Sequence, residues 1–339
     1  MMRVLNSMKS RTLFTIAALF LAIASCKKDD KKDDTVSASL SGTLNFTMPT
    51  YVSRGSPLSL TPSGVVNPTG SVGYYWTRSW SSAKDTTKLE NGPGDGTFTF
   101  TAPTEIGPYS VSCVAFAAGY YTASALSTFY VVDPALGKTI TGLGINPASD
   151  PSFTDVRDGT TYFTTTVGDK VWIRSNLTYS GSGASFEGCP VMDGLFGRYY
   201  TWDEASNACP PGWHLPSDAE WAALASAATG ATFQAGEAFK GAAGALMANA
   251  KFLDERMWEF WPAVNITNKT GMSIIPVGYA IDAEGKVRFK GGNDYAAFWT
   301  SDTNETNGVY RYLYVSKPDV LASYGDQVSF RASVRCVKD

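Results

Sequence analysis

The chain has 339 residues, 44% hydrophobic and 17% charged, with a formal net charge of -3. That length accommodates two ordinary domains, each with its own core. The small net charge, with no basic run after residue 32, gives no argument for a nucleic-acid partner, and none is expected; the sparse charge beside plentiful Gly, Thr, Ser and aromatic residues suits β-rich exported modules over a cytosolic helical enzyme.

The first element is a targeting segment. Arg3, Lys9 and Arg11 precede the apolar run "LFTIAALFLAIAS", which has the length of a signal-peptide core and is short for a membrane span. The stretch "LAIASC" resembles the bacterial lipobox. That resemblance implies cleavage after Ser25 and a lipid on Cys26; an ordinary cleaved signal followed by a stray cysteine is the alternative. Residues 1–25 are thus read as a lipoprotein signal peptide. Residues 26–35 carry "KKDDKKDDT", a charged run that buries nothing and acts as a solvated tether. It is similar to the Lys/Asp-rich tethers of Bacteroidetes surface lipoproteins, which implies a protein held on the outer membrane through its lipid and exposed at the cell surface.

From residue 36 to 133 short runs such as "GYYWT", "TFTFTAP", "YSVSCVAF" and "LSTFYVV" alternate apolar and polar positions between turn-forming clusters such as "NGPGDG" and "TEIGP". The pattern predicts an all-β sandwich. Trp76 and Cys113 resemble the Trp and strand Cys of immunoglobulin-like domains, and the later run also looks like a polycystic-kidney-disease-type sandwich. The second cysteine of an immunoglobulin pair is missing, so Cys113 is read as a buried free thiol. This module is expected to be a spacer or adhesion element. Residues 134–151, rich in Gly, Pro and small polar residues, read as a linker.

The second domain spans 152–339. "TTYFTTTV" and "KVWIRSNL" predict two strands joined at Gly168 and Asp169, followed by helical stretches at "TWDEASNAC" and "SDAEWAALASAA". Pro216 cannot lie inside the second helix, Ser217 is a preferred N-cap, and Glu220 stands at the capping-box spacing. Asp218 falls in the first turn, where the helix dipole favours an anion, and Trp221, Leu224 and Ala225 recur at helical spacing. The single histidine, His214, lies just before this cap. With no second His and no nearby Cys pair it is read as a packed or hydrogen-bonding residue, not a metal ligand.

The blocks "GDKVWIRSNL", "FGRYYTWDEASNACPPGWHLPSDAEWAAL", "IIPVGYA", "AAFWTSD" and "SVRCVKD", in this order, resemble the Fibrobacter succinogenes major paralogous domain. "HLPSDAEW", "FWTSD" and the terminal "VRC" are more distantly similar to formylglycine-generating enzymes, whose fold is C-type-lectin-like. The resemblance implies a multidomain chain in which an α+β C-type-lectin-like domain follows the immunoglobulin-like sandwich. It also implies a disulfide between Cys209 and Cys336, as that fold joins its first helix to its last strand, and leaves Cys189 without an obvious partner. The oxidases of that distant family bind copper through a cysteine pair just before the final strand. No cysteine lies between Cys209 and Cys336 here, so that chemistry is not expected.

Hydrolysis would need a base with a nucleophile or a paired acid. Asp254, Glu255 and Asp326 are read as solvated loop carboxylates, so catalysis is not expected; a glycan-active enzyme stands as the second alternative. Calcium-dependent lectins of the broader fold use Glu-Pro-Asn or Gln-Pro-Asp with Trp-Asn-Asp triplets, none of which occurs. Asn293, Asp294 and Asp302 offer fewer oxygens than calcium takes, and no cofactor is expected. Aromatic rings with nearby amide and carboxylate groups remain: Trp258, Phe260 and Trp261, with Tyr295 and Trp299 further on. A flat ring covers a ligand face while polar groups fix its edge, although core packing explains the same rings. Trp258, Trp261, Asn293 and Asp294 are the candidate contacts for an extracellular glycan or protein. The first alternative is a structural or adhesion subunit of a surface assembly.

Overall fold

A computed structural model describes residues 38–67, 70–79, 87–89, 96–258 and 264–339. They form a β-rich chain of two compact units, 38–133 and 134–339, described separately. Cys26 and Trp261 lie outside the described residues. Among the described residues no helix is long and apolar enough to cross a membrane.

In the first unit a five-stranded sheet runs in the order Tyr51–Ser53, Ala123–Val132, Gly107–Phe116, Gly73–Ser79, Thr87–Leu89. The predicted runs supply its centre: "GYYWT" pairs with "YSVSCVAF" so that Trp76 lies opposite Cys113. Separate two-stranded pairs join Ser41–Asn45 to Ser63–Val66 and Pro57–Leu60 to Phe98–Thr101. Trp76, Cys113, Phe129 and Val131 are fully buried. The Trp76 indole donates to the Gly96 carbonyl at 2.8 Å, which satisfies the polar atom of a ring otherwise enclosed by Phe46 and Phe98. Cys113 is a free thiol, and burial pushes its pKa up to about 12, so it stays protonated and inert.

In the second unit the strands Thr161–Val167 and Lys170–Ile173 form the expected hairpin, with Val167 opposite Lys170 and Gly168 in the left-handed region at φ 64°. They belong to a five-stranded sheet ordered Ser152–Thr154, Thr161–Val167, Lys170–Ile173, Val337–Lys338, Trp213–His214. The last strand thus returns beside the first ones. The Gly/Pro-rich stretch before residue 152 packs on this unit: Ile140–Thr141 pairs with Lys251–Phe252, and Asp150 pairs with Arg174.

Helix Asp218–Thr229 begins at the Ser217 cap and ends at Gly230 in the left-handed region. Its buried face carries Trp221, Leu224 and Ala225, with Trp221 set between Trp172 and Phe298 at 5.1 and 5.5 Å. The stretch "TWDEASNAC" gives only one helical turn, Trp202–Ala205, capped by Thr201 and Glu204. Besides the three-stranded sheet of Ile140–Thr141, Lys251–Phe252 and Glu255–Arg256, the unit holds two more three-stranded sheets. One orders Lys286–Lys290, Tyr279–Ala283 and Phe330–Arg331; the other orders Tyr295–Asn304, Asn307–Tyr314 and Val320–Asp326. The bridge between Gly278 and Ala296 joins them. Cys209 and Cys336 form a disulfide across 127 residues, and Cys189 is free and buried.

Candidate functional site

The sequence singled out His214, and the structure accounts for it locally. Its Nδ1 lies 2.7 Å from an Asp339 carboxylate oxygen and its Nε2 lies 3.0 Å from Glu220 Oε1. Glu220 Oε2 accepts from the Ser217 backbone N–H at 2.9 Å and its hydroxyl at 3.0 Å, while Ser217 Oγ accepts from the Glu220 N–H at 3.2 Å. Lys170 Nζ adds a cation 3.3 Å from Glu220. Partial burial works against the charge on His214, but the hydrogen bonds to Asp339 and Glu220 outweigh it and raise its pKa. Burial likewise works against Glu220, yet the bonds from Ser217 and His214 hold its pKa at about 2. The group ties the helix start to the end of the last strand, and both ring nitrogens of His214 and both carboxylate oxygens of Glu220 are engaged in it. Among the described residues no three His, Cys, Asp or Glu side chains come together as a metal site.

Asp218 extends this framework inward. Its carboxylate receives Arg311, with Nη2 at 2.7 Å and Nε as a second donor, and the Gly236 N–H at 2.7 Å. Arg311 is 0% exposed and lies 3.7 Å over the Phe239 ring. A carboxylate expected only at a helix end is thus the counter-charge of a buried arginine. Asp326 is exposed at the end of the strand Val320–Asp326, where it accepts from the Ser329 hydroxyl and from the Val328 and Ser329 N–H groups, which lower its pKa and shape a turn.

Two of the ligand candidates occupy other roles. Trp258 is 1% exposed; it lies in the apolar core with Met247 and Ile274 and donates its indole N–H to the Ile274 carbonyl at 3.2 Å. No face of the ring is left for a ligand. Asn293 is buried in a left-handed turn at φ 69°, and its N–H donates to the Pro276 carbonyl at 2.8 Å. Asp294 is half-buried one residue before Tyr295, and its carbonyl accepts from the Val315 N–H at 2.8 Å. It therefore sits where the strand carrying Tyr295 begins.

That strand opens the feature that does face outward. Tyr295, Ala297 and Trp299 lie opposite Tyr314, Tyr312 and Tyr310 respectively, and opposed residues of an antiparallel pair share a face. Small Ala297 leaves room for the Tyr312 ring, which stacks on Tyr295 at 4.8 Å and 14°. Tyr279 meets Tyr295 edge-on at 5.4 Å and stacks on Phe330 at 5.2 Å, and Phe330 stacks on Tyr310 at 4.7 Å. Buried Trp299, on the same face, meets Tyr310 and Phe330 edge to face and anchors its own N–H on the Tyr200 carbonyl at 2.8 Å. Tyr279, Tyr295, Tyr312 and Phe330 are half-buried and Tyr314 is exposed, so a continuous aromatic strip meets solvent. Burial raises the pKa values of Tyr279, Tyr295 and Tyr312, with Tyr310 adding to each shift; the phenols are neutral at physiological pH. The sequence reading named Tyr295 and Trp299 alone. The alternating "YRYLY" of residues 310–314 was the available signal, because period two puts all three tyrosines on one face.

A concavity of about 700 Å³ lies elsewhere on the same unit, lined by Thr165, Arg174, Asn268, Lys269 and Thr270 among others. Its polar groups serve the fold. Arg174 is held by Asp150 and the Gly144 and Gly271 carbonyls, Asn268 by the Leu143 carbonyl, and Thr165 by the Thr270 carbonyl. The strip offers unspent surface and the concavity little.

With this geometry in place, the chain can be assigned to a class. Residues 165–338 match the Fibrobacter succinogenes major domain. The match takes in just over half of the sequence, and the chain belongs to that family. No curated protein matches the chain.

Proposed function

We propose that this chain is a surface lipoprotein that binds an extracellular glycan or protein without altering it, through the unit that ends at residue 339. One observation carries the reading: the half-exposed strip of Tyr279, Tyr295, Tyr312, Tyr314 and Phe330, whose rings pack on one another across two sheets. Large rings held by stacking lose little conformational freedom on binding and cover the apolar face of a ligand. The finer fold reading is part of the proposal. A C-type-lectin-like arrangement is supported by the last strand returning beside Lys170–Ile173 and by the disulfide that ties Cys209 to it. An immunoglobulin-like sandwich is supported by Trp76 opposite Cys113 and by Tyr109, whose hydroxyl donates to the Glu105 carbonyl at 2.9 Å as in a tyrosine corner.

The test is a binding screen of the purified full chain against glycans and matrix proteins, repeated with Tyr314→Ala and Tyr312→Ala. For each ring removed, affinity for the ligand found should fall about fivefold, or ~1 kcal/mol, while Tyr314→Ala leaves the thermal transition unchanged. Full affinity in both folded variants, or turnover of the bound ligand, would refute the reading.

A further inference from the structure

The aromatic strip has a charged border. In the hairpin formed by Tyr279–Ala283 and Lys286–Lys290, Lys290 lies opposite Tyr279, Arg288 opposite Ile281 and Lys286 opposite Ala283. Phe330 lies opposite Ile281 on its other side. Cross-strand partners share a face, so the three cations emerge on the face that carries Tyr279 and Phe330. The alternate residue Phe289 packs against Phe186 and Tyr199, which fixes the opposite face as the inner one. Glu284 and Gly285, at φ 54° and 71°, form the tight turn that sets this register.

The cationic row is exposed and stands at the sheet edge. Arg288 reaches back to Glu284, while among the described residues no carboxylate pairs with Lys286 or Lys290. The acid of the neighbouring strand, Asp282, turns to the other face, where Arg331 donates to both its oxygens at 2.8 Å. The neutral phenols of the strip add no repulsion toward an anion. A surface with flat rings at its centre and free ammonium groups along one side is complementary to a chain of flat sugar rings that carries negative groups along its edge.

We infer that the ligand of the strip is an acidic polysaccharide. The rings of Tyr279, Tyr295, Tyr312 and Tyr314 cover sugar faces, and Lys286 and Lys290, with Arg288 beside them, take the carboxylates or sulfates. This rests on the binding reading above and narrows it. Single-stranded nucleic acid also combines stacked rings with backbone anions, and an oligothymidylate is therefore one arm of the test.

The experiment titrates the full chain with polygalacturonate, alginate and chondroitin sulfate. Fully methyl-esterified galacturonan, laminarin and an oligothymidylate serve as comparisons, each at low and high salt. An acidic polysaccharide should bind most tightly. Esterification, high salt or the double variant Lys286→Gln/Lys290→Gln should each weaken binding about fivefold, the sum expected of two exposed ion pairs. The thermal transition of the double variant should stay in place, since both side chains are exposed. Equal binding of the neutral chains, or full affinity in the double variant, overturns the acidic ligand and leaves the strip as a binding surface. Tighter binding of the oligothymidylate overturns the polysaccharide. Failure of every polysaccharide overturns the inference, and the binding reading falls with it only if Tyr312→Ala and Tyr314→Ala also leave capture of any matrix protein unchanged.

Discussion

His214 shows how one side chain couples the helix start to the last strand through charge. Its pKa is raised above the ordinary 6.5 by Asp339 and Glu220 acting against partial burial, so the stabilisation it contributes is fully present below about pH 6.5 and is lost as pH rises through the higher folded value. Glu220 runs the other way. Held at about 2 against an ordinary 4.5, it contributes above about pH 4.5 and loses that contribution as pH falls toward 2. The two terms overlap between about pH 4.5 and 6.5, where the contact between them is strongest. Replacing His214 by Gln should therefore lower the melting temperature most in that window, and the gap to the parent should narrow as pH rises to 9. Calorimetry across pH measures this directly; a gap independent of pH would mean that the ring acts by packing alone. Sequence alone showed Ser217 and Glu220 as a capping box, whose spacing is local, but not the ring's contact with Asp339, which stands 125 residues away.

At the scale of elements, local signals were legible and remote pairings were not. The hairpin around Gly168 and the helix from Asp218 followed from turn residues, a cap and apolar periodicity, each confined to a short window. The helix expected at "TWDEASNAC" shrinks to a single turn, since "CPPG" follows directly and proline cannot continue a helix. Trp258 was legible only as an aromatic residue; whether such a ring is core or surface depends on what the fold brings over it, and Ile274 lies 16 residues on. The double sheet that carries the tyrosine strip likewise depends on pairings made in three dimensions. The disulfide belongs to this scale because it locks the segment before the capped helix to the last strand. Closing a loop of 127 residues restricts the unfolded chain by an amount worth at most ~5 kcal/mol in the chain-entropy account. A Cys209→Ala/Cys336→Ala variant should melt well below the parent in the second unit's transition, and reductant should shift the parent toward the variant without moving the variant itself. Coincident melting of parent and variant would show that the bridge contributes nothing.

For the whole molecule, the proposed function implies an order along the chain: a lipid anchor and a charged tether in residues 1–35, then a β-rich unit, then the unit that carries the aromatic strip. The anchor is the step on which this order depends. Cys26 follows an apolar run and the small residues Ala24 and Ser25, and nine charged or polar residues come directly after it. A single acyl chain binds membranes only marginally, whereas several chains on one N-terminal cysteine hold a protein firmly. The run before Cys26 has the length of a signal-peptide core and is short for a membrane span. Cys26→Ala should therefore remove the processed, acylated N-terminus and shift the protein from the outer-membrane fraction, and mass spectrometry of the parent should find Cys26 as a lipid-bearing first residue. Protease added to intact cells separates the two faces: cleavage in the parent without lysis is expected if the tether projects outward. Retention of Cys26→Ala in the membrane fraction, or an unmodified N-terminus at or beyond residue 26 in the parent, would remove the anchor and with it the argument that the aromatic strip is presented to ligands outside the cell.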